Sequence, residues 1–162
     1  MNGARPTTSA AEQAGQRVTE ALYAALDVHV SRLLLLTPAG VSTLHNCADE
    51  RWAPRLEPLL LDGRQLQQIS RRGGATFADK WLHRPAVWAP LVQAGAQAVA
   101  LVPLAAAPAP VLLSLLVSFE PGHRWTAVER QVVGELYGTV QDGRTASALQ
   151  SLSSAASARP AP

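Results

Sequence analysis

Five side chains in this chain have a ready reactive chemistry, four histidines and one cysteine, and only two of them stand at a useful spacing. His45 and Cys47 are two apart in VSTLHNC, so an extended strand would point both to one face. Imidazole and thiolate are good zinc ligands, but a structural zinc takes about four such groups. His29, His83 and His123 have no spacing that completes the set, and no metal is expected. A single cysteine cannot form an internal disulfide, which argues against a secreted, cross-linked scaffold and for a reducing cytoplasm. Disulfide-based redox catalysis needs a second cysteine to resolve the oxidised intermediate, so a buried, inert thiol is the simpler reading of Cys47. Basic residues number 14 against 12 acids, and Arg71–Arg72 is the one adjacent basic pair. Scattered charge of this kind is no polybasic arm, and nucleic acid is not an expected partner.

The elements that must position these groups centre on a run from Pro85 to Phe119 that carries no charged side chain. A membrane-spanning helix needs about 20 apolar residues, which the run could supply. Pro103, Pro108 and Pro110 argue otherwise, because each proline inside a helix costs about 3 kcal/mol. The stretch reads instead as two strands, Gln97 to Leu104 and Val111 to Phe119, joined by AAAPAP. Both are apolar at nearly every position, so both faces must be covered. No membrane partner is expected.

Val18, Ala21, Leu22, Ala25 and Leu26 follow helical spacing and predict an amphipathic first helix. The preceding residues 1–15 lack the apolar core of a signal peptide and read as a flexible leader. Val30 to Leu36 and Val41 to Cys47 flank TPAG, a hairpin turn signal. Arg64 to Arg72 reads as a helix, Thr76 to Asp79 as a short strand, Lys80 to Arg84 as a loop and Ala86 to Ala94 as a short helix. Thr126 and Glu129 form a capping box before a long last helix, whose stripe Val128, Val132, Leu136 and Val140 is widened by Val133 and Tyr137. Residues 151–162, SLSSAASARPAP, read as a low-complexity tail. The predicted class is α+β.

Over residues 16–150 this order resembles a GAF domain. The resemblance rests on LLLLTPAGVSTL for the first hairpin, GATFADKW for the segment before the pocket, AGAQAVALVPL for the next strand, and VLLSLLVSFEPGHRWTAVERQVV for the last strand and helix start. Ala109 and Pro110 stand where such domains usually place a glycine, and the Asn-Lys-Phe-Asp-Glu signature of cyclic-nucleotide-binding members is absent, which disfavours that ligand.

The resemblance implies an antiparallel central sheet of about six strands, with N- and C-terminal helices packed on one face and a small-molecule pocket on the other. It places Phe77, Asp79, Trp81, His83 and Trp88 in the segment that lines the pocket, where tryptophan supplies area and Asp or His fixes orientation. The same aromatics could equally fill a collapsed cavity. Trp125 is expected to anchor the last helix rather than to bind. The family often dimerises through the terminal helices, here the stripes Val18, Leu22, Leu26 and Val132, Leu136, Val140. The expected function is a cytoplasmic, non-catalytic sensory or regulatory domain without a cofactor, probed by a small molecule or by a separate signalling protein such as a kinase or transcription regulator. With no output domain in the chain, the signal is expected to leave by dimer rearrangement or through that protein. Two alternatives stand beside it: a pure protein–protein interaction module with a filled cavity, and an enzyme of the free methionine sulfoxide reductase type using Cys47, which lacks the resolving cysteine. Bilin attachment, as in phytochrome-like members, would need a cysteine elsewhere than the second strand.

Overall fold

The computed structural model describes residues 10–49, 51–52, 61–72, 74–80, 83–105 and 111–141. Helix α1 (Ala10–Ala25) leads into strands β1 (Val30–Thr37) and β2 (Gly40–Ala48), then α2 (Gly63–Ser70) and β3 (Thr76–Ala78). A 3-10 turn (Ala86–Trp88) runs into α3 (Ala89–Gln93), followed by β4 (Ala98–Ala105), β5 (Val111–Ser118) and α4 (Ala127–Gln141). Among the described residues the sheet has five strands where about six were expected, all antiparallel, in the order β2-β1-β5-β4-β3. α1 starts at Ala10, so part of the stretch read as leader is helical. The tail 151–162 and the rest of the leader lie outside the described residues.

The uncharged run supplies β4 and β5, with the 3-10 turn and α3 before them. β5 lies between β1 and β4, so its backbone pairs on both sides and its residues alternate between two covered faces. One face carries Leu113, Leu115 and Val117, packed in a cluster with Leu66 of α2 and Trp88 and Leu91 of the turn and α3. The other carries Leu112 and Leu116, in a cluster with Val18 and Leu22 of α1, Trp125, and Val133 of α4. Each fully buried leucine contributes about 1.5–3 kcal/mol, so a strand sealed on both faces gains from an apolar side chain at nearly every position. Among the described residues, no helix is long and apolar enough to cross a membrane.

A β-bulge sets the phase of the first hairpin. Leu33 pairs with His45 but Leu34 pairs with Thr43, so Leu44 is the extra residue. Beyond it, His45 and Cys47 face α1 together with Leu33 and Ser31, while Arg32 and Asn46 share the opposite face, where Arg32 Nε donates to Asn46 Oδ1 at 2.9 Å. α2 is started by Asp62, whose carboxylate accepts the N–H groups of Arg64 and Gln65.

Candidate functional site

The segment expected to line a pocket is split by the pleat of β3. Phe77 pairs with Ala100 and Ala78 with Val99, which places Phe77 on the face of the terminal helices and Ala78 on the face of α2 and α3. Phe77 packs edge-on to Trp125, with ring centroids 5.5 Å apart, and the Arg130 guanidinium lies 4.7 Å from the centroid of the Phe77 ring. Asp79, two residues on, turns to the same helix. Trp88 lies across the sheet from them, 2% exposed among the apolar residues of the other face. His83 is exposed in the connecting turn, and Trp81 lies outside the described residues. The structure therefore brings Phe77 and Asp79 together and separates both from Trp88.

What Phe77 and Asp79 meet is the junction between β5 and α4. Pro121 and Gly122 turn the chain there, with Gly122 at a φ of 77° and His123 N–H donating to Glu120 O at 3.1 Å. Glycine takes that left-handed conformation without the steric cost a side chain would add. The turn folds His123 back over β5, so that its Nδ1 lies 2.9 Å from Ser118 Oγ and its Nε2 lies 3.4 Å from Glu129 Oε2. The neighbouring Trp125 is buried, and its indole N–H is shared between Ala78 O at 3.3 Å and Val99 O at 3.1 Å. Its backbone N–H donates to Asp79 Oδ2 at 2.9 Å. Thr126 and Glu129 close the expected capping box, each side chain accepting the other's N–H. Ser118, His123 and Glu129 form a chain of the types used in nucleophilic catalysis, but Ser118 is wholly inaccessible, which denies its hydroxyl any substrate.

Burial pushes the Asp79 carboxyl up, but the N–H groups of Trp125 and Lys80 and the positive charges of Arg124 and Arg130 outweigh it and hold the group below the ordinary carboxylate range. Cys47 is moved the other way. Burial pushes its thiol up and the Glu20 carboxylate of α1 adds to the shift, so less nucleophilic thiolate is present at neutral pH. His45 Nε2 lies 3.1 Å from Glu20 Oε1, and no metal-holding group of three or more ligands occurs among the described residues.

The terminal stripes are placed just as firmly. Val18, Leu22 and Leu26 are buried against the chain's own sheet, Val132 and Leu136 are half-buried against the same cluster, and the side chain of Val140 lies outside the described set. Two features escaped the sequence reading. One is the stack of His29, Trp52 and Phe119, with Trp52 and Phe119 centroids 4.9 Å apart and His29 Nδ1 accepting the Phe119 N–H. The other is a cleft of about 620 Å³ between the β1–β2 turn and the start of α2, lined by Leu36 to Gly40, Asp62 to Arg64, and Gln67. Aromatics separated by long stretches of chain give no local signal for the first, and only the Asp62 cap hints at the second.

No family model matches the sequence, and no curated protein matches it. Solved structures do. The photoproduct state of GAF3 from Slr1393 of Synechocystis sp. superimposes with a TM-score of 0.66 at 12% identity, covering 88% of this chain and 98% of that one. The green light-absorbing state of the red/green cyanobacteriochrome NpR6012g4 gives 0.65 at 13% identity, over 89% and 97%. A GAF domain/HD domain protein from Geobacter sulfurreducens gives 0.62 at 8% identity, over 88% and 93%. The fold of this chain is that of GAF domains.

Proposed function

We propose that the chain is a non-catalytic regulatory domain of the GAF type that responds to a small molecule. The observation that carries the reading is the cleft between the β1–β2 turn and α2. Its volume, about 620 Å³, suits a small organic ligand, and Thr37, Asp62, Arg64 and Gln67 offer polar groups beside the apolar Leu36, Pro38 and Ala39. The face of β4 and β5 beneath α2 and α3 favours a second reading, since Leu66, Trp88 and Leu91 already fill it and leave the domain to act through contacts with another protein.

Native mass spectrometry of the protein purified from its own host separates the two. A retained small molecule that is lost on Arg64→Ala and Gln67→Ala supports the first reading. Protein that carries no added mass and is not stabilised by any member of a metabolite panel contradicts it. An enzyme working through Cys47 is disfavoured by the raised thiol and by its place under α1, on the opposite face from α2 and α3. Thiol-dependent turnover of free methionine sulfoxide that disappears in Cys47→Ser would reverse that judgement. Homodimerisation belongs to the proposal as well, but through a surface other than Val18, Leu22 and Leu26, which are already covered. Sedimentation at tens of micromolar, where an interface of standard size holds, is expected to give a dimer, and a monomer removes this element of the reading.

A further inference from the structure

Helix α4 is thinly sealed onto the sheet. Of its side chains from 127 to 137, Val133 alone is fully buried, while Val128 is 70% exposed. α1, on the same face, buries Val18, Thr19 and Leu22. Val132, Leu136 and Tyr137 are partly buried against the same cluster as Val133, and a further anchor lies at the start of the helix, where Trp125 makes two holds of different physical kinds. The indole is held by shape and by two backbone carbonyls, Ala78 O and Val99 O. The backbone N–H is held by the Asp79 carboxylate, 46 residues away in sequence and just past β3, an edge strand of three residues. That carboxylate also accepts the Lys80 N–H and lies 3.9 Å from Arg124 Nη1, with Arg130 contributing positive potential from α4 itself. The carboxylate hold can be removed by one substitution at Asp79 that leaves the packing of the indole in place, whereas the hold by shape cannot.

We propose that Asp79 is the catch of a releasable arm: its carboxylate keeps α4 closed on the sheet, and loss of that charge opens the helix locally while the five strands stay paired. The motion is a sub-global opening of one element, the kind of low-stability unit from which regulatory movements are drawn. Asp79 thus serves the fold as a single-carboxylate tether between the short edge strand and the last helix.

Hydrogen exchange on the full chain at neutral pH, read by mass spectrometry, tests this. Asp79→Ala is expected to speed exchange over residues 125–137 roughly ten- to a hundredfold, the loss expected for a charge-assisted hydrogen bond, with β1 and β5 unchanged. Asp79→Asn, which keeps an acceptor oxygen but not the charge, should fall between the two. In the unaltered protein, α4 amides should exchange by an opening insensitive to low denaturant, while β5 amides follow global unfolding. Equal acceleration in all elements, no acceleration in α4, or α4 exchange only through global unfolding overturns the proposal. If Asp79→Ala does not fold, the measurements on the unaltered chain and on Asp79→Asn decide it.

Discussion

Trp88→Ala distinguishes a pocket wall from a core residue by magnitude alone. Trp88 is 2% exposed and belongs to the cluster with Leu66, Leu91, Leu101 and Leu115. Burying a tryptophan removes about 150–250 Å² from water. At about 25 cal/mol per Å² that is worth about 4–6 kcal/mol, and measured large-to-small truncations cost about 3–5 kcal/mol. A loss of about 4 kcal/mol is a large part of the about 5–15 kcal/mol that holds a domain together. For a chain of this size it lowers Tm by about 8–16 °C. Urea unfolding of both proteins, followed by tyrosine or far-ultraviolet signals, is the assay, with an unchanged slope and a lower midpoint expected. A ring that lined an open, wet cavity would lose far less, because one side already met water. A destabilisation below about 1 kcal/mol would refute the placement of Trp88 in a closed layer.

Other outcomes follow from the same geometry. Leu22→Ala should cost about 2–5 kcal/mol at every protein concentration, as a core leucine does, whereas a purely interfacial role would make the cost vanish on dilution to monomer. Glu20→Gln should speed alkylation of Cys47 near neutral pH, because it removes one of the two influences that raise the thiol; an unchanged rate over a full pH profile would contradict that cause. Asp79 has a depressed carboxyl, so its contribution is present above the ordinary carboxylate range and lost as pH falls through its own lower value. Asp79→Asn should therefore be less stable than the unaltered protein at pH 7, with the gap closing in acid, and a gap that stayed constant would refute the sign.

Much of the fold was legible because its signals are local or periodic. Prolines within the part of the uncharged run from 97 to 119 argue for two sheltered strands over a spanning helix, and the strands are β4 and β5. The capping box at Thr126 and Glu129 formed as its spacing required. The family resemblance anticipated which elements share a layer. The candidate site was less legible, for a reason found in β3. With only Thr76, Phe77 and Ala78 in the strand, one residue of phase decides whether Phe77 and Asp79 face a pocket or the last helix, and nothing adjacent in sequence sets that phase. It is set by Ala100 and Val99 across the ladder. The terminal stripes carried a similar ambiguity, since an apolar face at helical spacing serves an internal sheet as well as a partner helix. Val18 and Leu22 serve the sheet.

The whole arrangement depends on β5 lying between β1 and β4, sealed on both sides. Backbone nuclear Overhauser contacts in isotope-labelled protein measure this directly. Antiparallel contacts are predicted around the pairs Leu34 with Leu113 and Leu101 with Leu115. Helical contacts between residues three apart along 111–118, or β4 paired to β1 instead of β5, would contradict it.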